Sequence, residues 1–109
     1  MDIAFLSAGE IAKRIRDREV GCLEILDHFI TRIDRYNPAV NAVVVKDFDR
    51  ARDRAKEADR ALGRGGANGA LHGVPMTVKE AFALAGTPTT FGLAQYRNNV
   101  ARRNALAVD

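Results

Sequence analysis

The chain has 109 residues, 47% of them hydrophobic and 28% charged, a globular composition that excludes disorder and allows at most one small domain. Its net charge of +3 comes with no recognition motif, so nucleic-acid binding is not the reading. The single cysteine, Cys22, excludes an intrachain disulfide, and no apolar run is long enough to span a bilayer.

The first residues carry no basic region and too short an apolar run for a signal peptide. The sequence therefore predicts a cytoplasmic protein without a membrane partner. Tryptophan is absent and aromatics are 6%, so the core must come from alanine, valine, isoleucine and leucine. No metal or cofactor is predicted.

Ser7 and Glu10 have the spacing of a capping box. They predict a short helix over about 8–17 with Ile11 and Ile15 inward. Lys13, Arg14, Arg16 and Arg18 crowd its end, where cations suit the helix dipole. Gly21 is the next N-cap candidate, with Glu24 at the third helical position, although glycine offers no side-chain acceptor. Leu23, Leu26, Ile30 and Ile33 recur at three- and four-residue steps. Cys22, Ile25, Phe29 and Tyr36 widen that face, so it must be buried on two sides or against a partner. Asn37-Pro38 is the predicted end of this second helix. His28 has no partner acid in any spacing motif and reads as a surface or packing residue.

Residues 40–45 are short, β-branched and bounded by Pro38 and Asp47, the pattern of a strand buried on both faces. Asp47 is the predicted cap of a third helix over 48–62. Its stripe is Phe48, Ala51, Ala55, Ala58 and Leu62, small enough to pack on a sheet. The opposite face mixes both signs of charge, including Asp59, and reads as solvated. The glycine-rich stretch 63–69 lacks the lysine-serine or lysine-threonine ending of a phosphate loop and reads as a surface connection.

The stretch Leu71-His72-Gly73-Val74-Pro75-Met76-Thr77-Val78-Lys79-Glu80 holds the rest together. Val74, Met76 and Val78 alternate with Pro75 and Thr77, which predicts a strand over 74–78. With strand 40–45 and helix 48–62 this makes a βαβ unit, whose crossover should be right-handed. Lys79 then falls at the carboxyl end of a strand, where open α/β sheets gather their chemistry. Flanked by Val78, Ala81 and Phe82, it is expected to be partly desolvated, which favours a neutral amine able to act as base or nucleophile. His72 is an odd number of residues from Lys79, would face the other way along a regular strand, and reads as structural.

Beyond Lys79 comes Gly86-Thr87-Pro88-Thr89-Thr90-Phe91-Gly92. Such a loop can bring backbone donors and two hydroxyls near a substrate, or serve as ordinary turn chemistry. Asn104 reads as the N-cap of a further helix that runs only about one turn.

Leu-His-Gly-Val-Pro-x-x-Val-Lys-acid followed by Gly-x-x-Thr-Thr-x-Gly resembles the amino-terminal block of the amidase signature family. The resemblance implies an α/β fold: amino-terminal helices followed by a βαβ unit, part of a larger mixed sheet covered by helices. It implies that residues 1–109 are an incomplete amino-terminal part of that domain. Residues 1–38 would be a helical pair, 39–79 the βαβ unit, and 80–109 an active-site loop with the start of a cut-off helix. It also implies the role of Lys79, the base of a Ser–cis-Ser–Lys triad that hydrolyses the C–N bond of a small-molecule amide through an acyl-enzyme. Substrate-binding residues are not indicated.

Two departures are visible. Glu80 stands where the family usually has aspartate, and Leu93 where it usually has serine. The family's two catalytic serines lie well downstream of this block, whereas the sole serine here is Ser7. The chain is thus expected to be inactive alone. The alternative is a non-catalytic truncated product, or an interaction module that self-associates into homo-oligomers through exposed apolar surface.

Overall fold

A computed structural model describes residues 2–109. Ser7 opens the first helix, α1 (Ala8–Arg16), with a complete capping box. Its hydroxyl accepts from the Glu10 N–H at 3.2 Å, and its own N–H donates to the Glu10 carboxylate at 2.8 Å. Both bonds satisfy donors that a helix start leaves unpaired. The Ser7 hydroxyl and N–H together hold the Glu10 carboxyl below its ordinary value. Ile11 and Ile15, one turn apart, are buried as the periodicity requires. At the far end Arg16 and Arg18 reach across to the carbonyls of Ala70 and Leu62 at 3.0 and 3.1 Å.

The second helix, α2 (Cys22–Val40), starts at Gly21. Glu24 accepts the Gly21 N–H at 3.4 Å, which is half of a capping box. The other half comes from another element. The carboxylate of Asp59 accepts from the N–H groups of Cys22 at 2.7 Å and Leu23 at 3.2 Å. Asp59 belongs to the third helix, α3 (Phe48–Arg64), which packs along α2. Ala55 is buried there, with Ala58 and Leu62 packed beside it. The alanines anticipated for a sheet thus let two helices approach.

The core joins Ile11, Ile15, Cys22, Ile25 and Ala55, covered by Leu6, Leu26, Phe29 and Val74. Ile15 and Ile25 are fully buried, each worth roughly 1.5–3 kcal/mol relative to exposure. At the amino terminus Asp2 pairs with Arg32 at 3.6 Å and lies 3.2 Å from His28 Nε2. The Arg32 guanidinium also lies over the rings of Phe5 and Tyr36.

Several expectations from the sequence fail. α2 does not end at Asn37-Pro38: Pro38 lies inside its last turn, and the helix closes at Asn41 in a left-handed conformation, φ 47°. Asp47 does take the N-cap position of α3, but its side chain makes no capping bond and pairs with Arg50 at 2.6 Å.

The βαβ unit is not formed: among the described residues there are three α-helices, two short 3-10 turns and no strand. Residues 42–47 are irregular. The N–H and carbonyl of Val43, which a ladder would need, are both taken by the buried Asn37 side chain at 2.8 and 3.0 Å. Val44, Met76 and Val78 stand exposed. An extended segment without neighbours to complete its hydrogen bonds does not register as a strand.

The chain divides into two compact units, one reaching to Pro75 and the other running from Met76 to Asp109. The second contains a 3-10 turn (Ala94–Tyr96) and one antiparallel bridge, Pro88 to Val100. The helix anticipated at Asn104 is absent from it. The Asn104 side chain instead accepts the Ala85 N–H at 2.8 Å, and the Ala105 N–H donates to the Ala83 carbonyl at 2.8 Å. The carboxamide that would have capped a helix holds a loop.

Candidate functional site

The boundary between the units falls inside the Leu71–Glu80 block, and its two halves do different work. In the first half His72 is buried. Its Nδ1 accepts the Asn68 N–H at 3.0 Å, so the ring proton resides on Nε2, which donates to the Ala58 carbonyl at 2.9 Å. Both nitrogens are committed, and the structural reading of His72 holds.

Gly73 has φ +76°, and a Cβ at this position would overlap Cys22 Sγ. Glycine is required twice over, by the backbone and by the thiol beneath it. Burial first, then the neighbouring Asp59 carboxylate, pushes the Cys22 thiol up to about 12. Burial alone would raise the Asp59 carboxyl, yet the bonds from Cys22 and Leu23 bring it below its ordinary value. Sequence reading had placed Asp59 on a solvated face; nothing in the helical period signals a carboxylate that caps a different helix.

The second half carries Lys79. Its carbonyl accepts the Phe82 N–H at 2.9 Å, so Lys79 begins a tight turn. The side chain of Glu80, the next residue, crosses to the threonine loop. Both carboxylate oxygens lie 2.8 Å from Thr90 Oγ1, and Oε1 also accepts the Thr90 N–H at 3.3 Å. Thr90 Oγ1 in turn accepts the Gly92 N–H at 3.3 Å. Phe91 and Gly92 both have positive φ, 52° and 71°, a reversal that this clasp closes.

The two threonine hydroxyls separate. That of Thr90 is spent on Glu80. Thr89 is buried, its Oγ1 without a hydrogen-bond partner among the described residues. Its backbone is paired with Asn99: the Thr89 N–H donates to the Asn99 carbonyl at 2.8 Å, and the Asn99 amide donates back at 2.8 Å. Only the Thr90 hydroxyl is thus engaged in holding the loop's own shape.

The Lys79 amine is exposed and makes no hydrogen bond or ion pair among the described residues. The expected desolvation is not found, because Val78, Ala81 and Phe82 are themselves exposed. Among the described residues no group of three or more histidine, cysteine, aspartate or glutamate side chains could hold a metal ion. No helix there is long and apolar enough to cross a membrane.

This arrangement, a free lysine beside a clasped glycine-threonine loop, can be set against known proteins. The family pattern described as Amidase matches residues 24–109. The chain belongs to the amidase signature family. As an amidase relative it is 38% identical over 108 residues to an acylamidase of Rhodococcus erythropolis, covering 99% of this chain and 23% of that protein. It is 35% identical over 113 residues to fatty-acid amide hydrolase 2 of Homo sapiens, covering 97% of this chain and 21% of that one.

A solved bacterial aryl acylamidase of the amidase signature family superposes with a TM-score of 0.83 at 30% identity, over 89% of this chain and 20% of its own. The fold is thus that of an amidase signature enzyme over the matched part. The chain spans about a fifth to a quarter of the length of the curated relatives it matches.

Proposed function

We propose that this amidase chain contributes the general base, Lys79, to hydrolysis of a carboxamide through a serine acyl-enzyme. The observation that supports the reading is the free Lys79 amine held at a turn beside the clasped Thr90–Gly92 loop, inside the block that resembles the family's catalytic lysine motif. In the family scheme a neutral lysine takes a proton through the cis-serine from the nucleophilic serine. That serine attacks the amide carbonyl, backbone N–H groups stabilise the oxyanion, and water releases the acid.

Ser7 cannot stand in for either serine, since its hydroxyl donates to Glu10 at 2.7 Å in the α1 cap. On this reading residues 1–109 are an amino-terminal part of an amidase-type domain.

The test is a hybrid in which this chain replaces the matched portion of the solved bacterial aryl acylamidase. The hybrid is expected to hydrolyse an N-acyl arylamine, and Lys79→Ala to lower kcat by about 10²–10⁴. A hybrid that works equally well without the lysine contradicts the assignment.

A second reading rests on exposed apolar side chains in the unit from Met76. Phe91 is 60% exposed and Leu106 93%, and Phe82 and Leu93 are also exposed. Such surface favours self-association. Size-exclusion chromatography across a concentration series decides: a dimer or larger species supports it, and a monomer throughout removes it.

A further inference from the structure

We propose that Glu80 is a positioning residue for Lys79, fixing the lysine to the Thr90–Gly92 loop so that the two keep one spacing. The functional meaning rests on the reading of Lys79 as base. The geometry does not: the Lys79 carbonyl accepts the Phe82 N–H. The residue that follows directly is Glu80, whose carboxylate is bonded to the Thr90 hydroxyl and N–H.

The hydroxyl has one proton to donate and two carboxylate oxygens at the same 2.8 Å. A charge-assisted bond of this kind is among the stronger ones. Gly92 extends the relay by donating to the same hydroxyl oxygen. The segment carrying the amine and the reversal at Phe91–Gly92 are therefore one body linked by a single side chain across ten residues of sequence. Among the described residues no other acidic side chain bonds Thr90. A displacement of about 1 Å at a catalytic group can cost on the order of 10²-fold in rate, so a link that sets this spacing matters even though it touches no substrate.

The experiment compares the chain with its Glu80→Gln, Glu80→Asp, Thr90→Val and Thr90→Ser variants. Backbone heteronuclear NOEs are read at Lys79, Phe82 and Gly92, with far-UV circular dichroism as a check on the helices. Glu80→Gln and Thr90→Val are expected to lower the NOEs at all three positions while helix content stays the same. Thr90→Ser is expected to keep them, and Glu80→Asp to restore part of what Glu80→Gln loses. Unchanged NOEs in Glu80→Gln and Thr90→Val overturn the proposal.

In the acylamidase hybrid the same two variants are expected to lower kcat about 10–100-fold with KM unchanged. Undiminished kcat in both also overturns it. A hybrid indifferent to Lys79→Ala sinks the base assignment instead, while the NOE result still decides whether Glu80 sets the position of Lys79.

Discussion

Gly73 shows how a residue inside a catalytic-looking motif can owe its identity to packing. Its φ of +76° is strained for any side chain, and the Cys22 sulfur occupies the place where a Cβ would go. Gly73→Ala is expected to destabilise the helical unit by roughly 2–5 kcal/mol, combining left-handed strain with overpacking; urea unfolding followed at 222 nm measures it.

The thiol beneath reports the same contact. Fully buried, and with its pKa pushed up to about 12, Cys22 is expected to resist a disulfide reagent at pH 8 in the native chain and to react promptly in denaturant. Fast labelling of the folded protein would contradict the packing described. Lys79 is the opposite case, a side chain with no local partner whose identity packing does not explain.

The helices were legible because their signals are local. Ser7 with Glu10, the isoleucine spacing of α1 and the apolar rows of α2 depend on residues within a turn or two of each other. The strands were not, because a strand is defined by what lies beside it. Val40 to Val45 has the right residues, but Asn37 takes the Val43 backbone groups and the remaining valines find no ladder. The clasp from Glu80 to Thr90 and the cap from Asp59 to α2 were illegible for a related reason. Each joins residues ten or more positions apart, and nothing in the composition of either segment announces the pairing.

The cap lends itself to measurement. Asp59→Ala leaves the N–H groups of Cys22 and Leu23 without their acceptor and is expected to cost roughly 1–3 kcal/mol. The folded state holds the Asp59 carboxyl below its ordinary value of 3.8. Its contribution is therefore present above that value and is lost as pH falls through the lower, folded one. Stability profiles between pH 7 and pH 2 should show a smaller acid-side loss in Asp59→Ala than in the parent. Identical profiles would mean that the cap carries no charge-dependent energy.

For the molecule as a whole, family membership and chemistry stand on different ground. Membership follows from the match over residues 24–109 and from the superposition on a solved aryl acylamidase. The proposed chemistry would rest on the Lys79 amine acting with serine hydroxyls other than that of Ser7. The chain alone is expected to show no amide turnover even at high protein concentration, since its sole serine is engaged in capping α1.

The most direct measurement is the single-turnover rate of acylation in the acylamidase hybrid, with enzyme in excess over an N-acyl arylamine and release of the amine followed in time. That step isolates activation of the nucleophile from product release. Lys79→Ala is expected to lower this rate by about 10²–10⁴. An acylation rate that Lys79→Ala leaves unchanged would contradict the assignment of Lys79 as base.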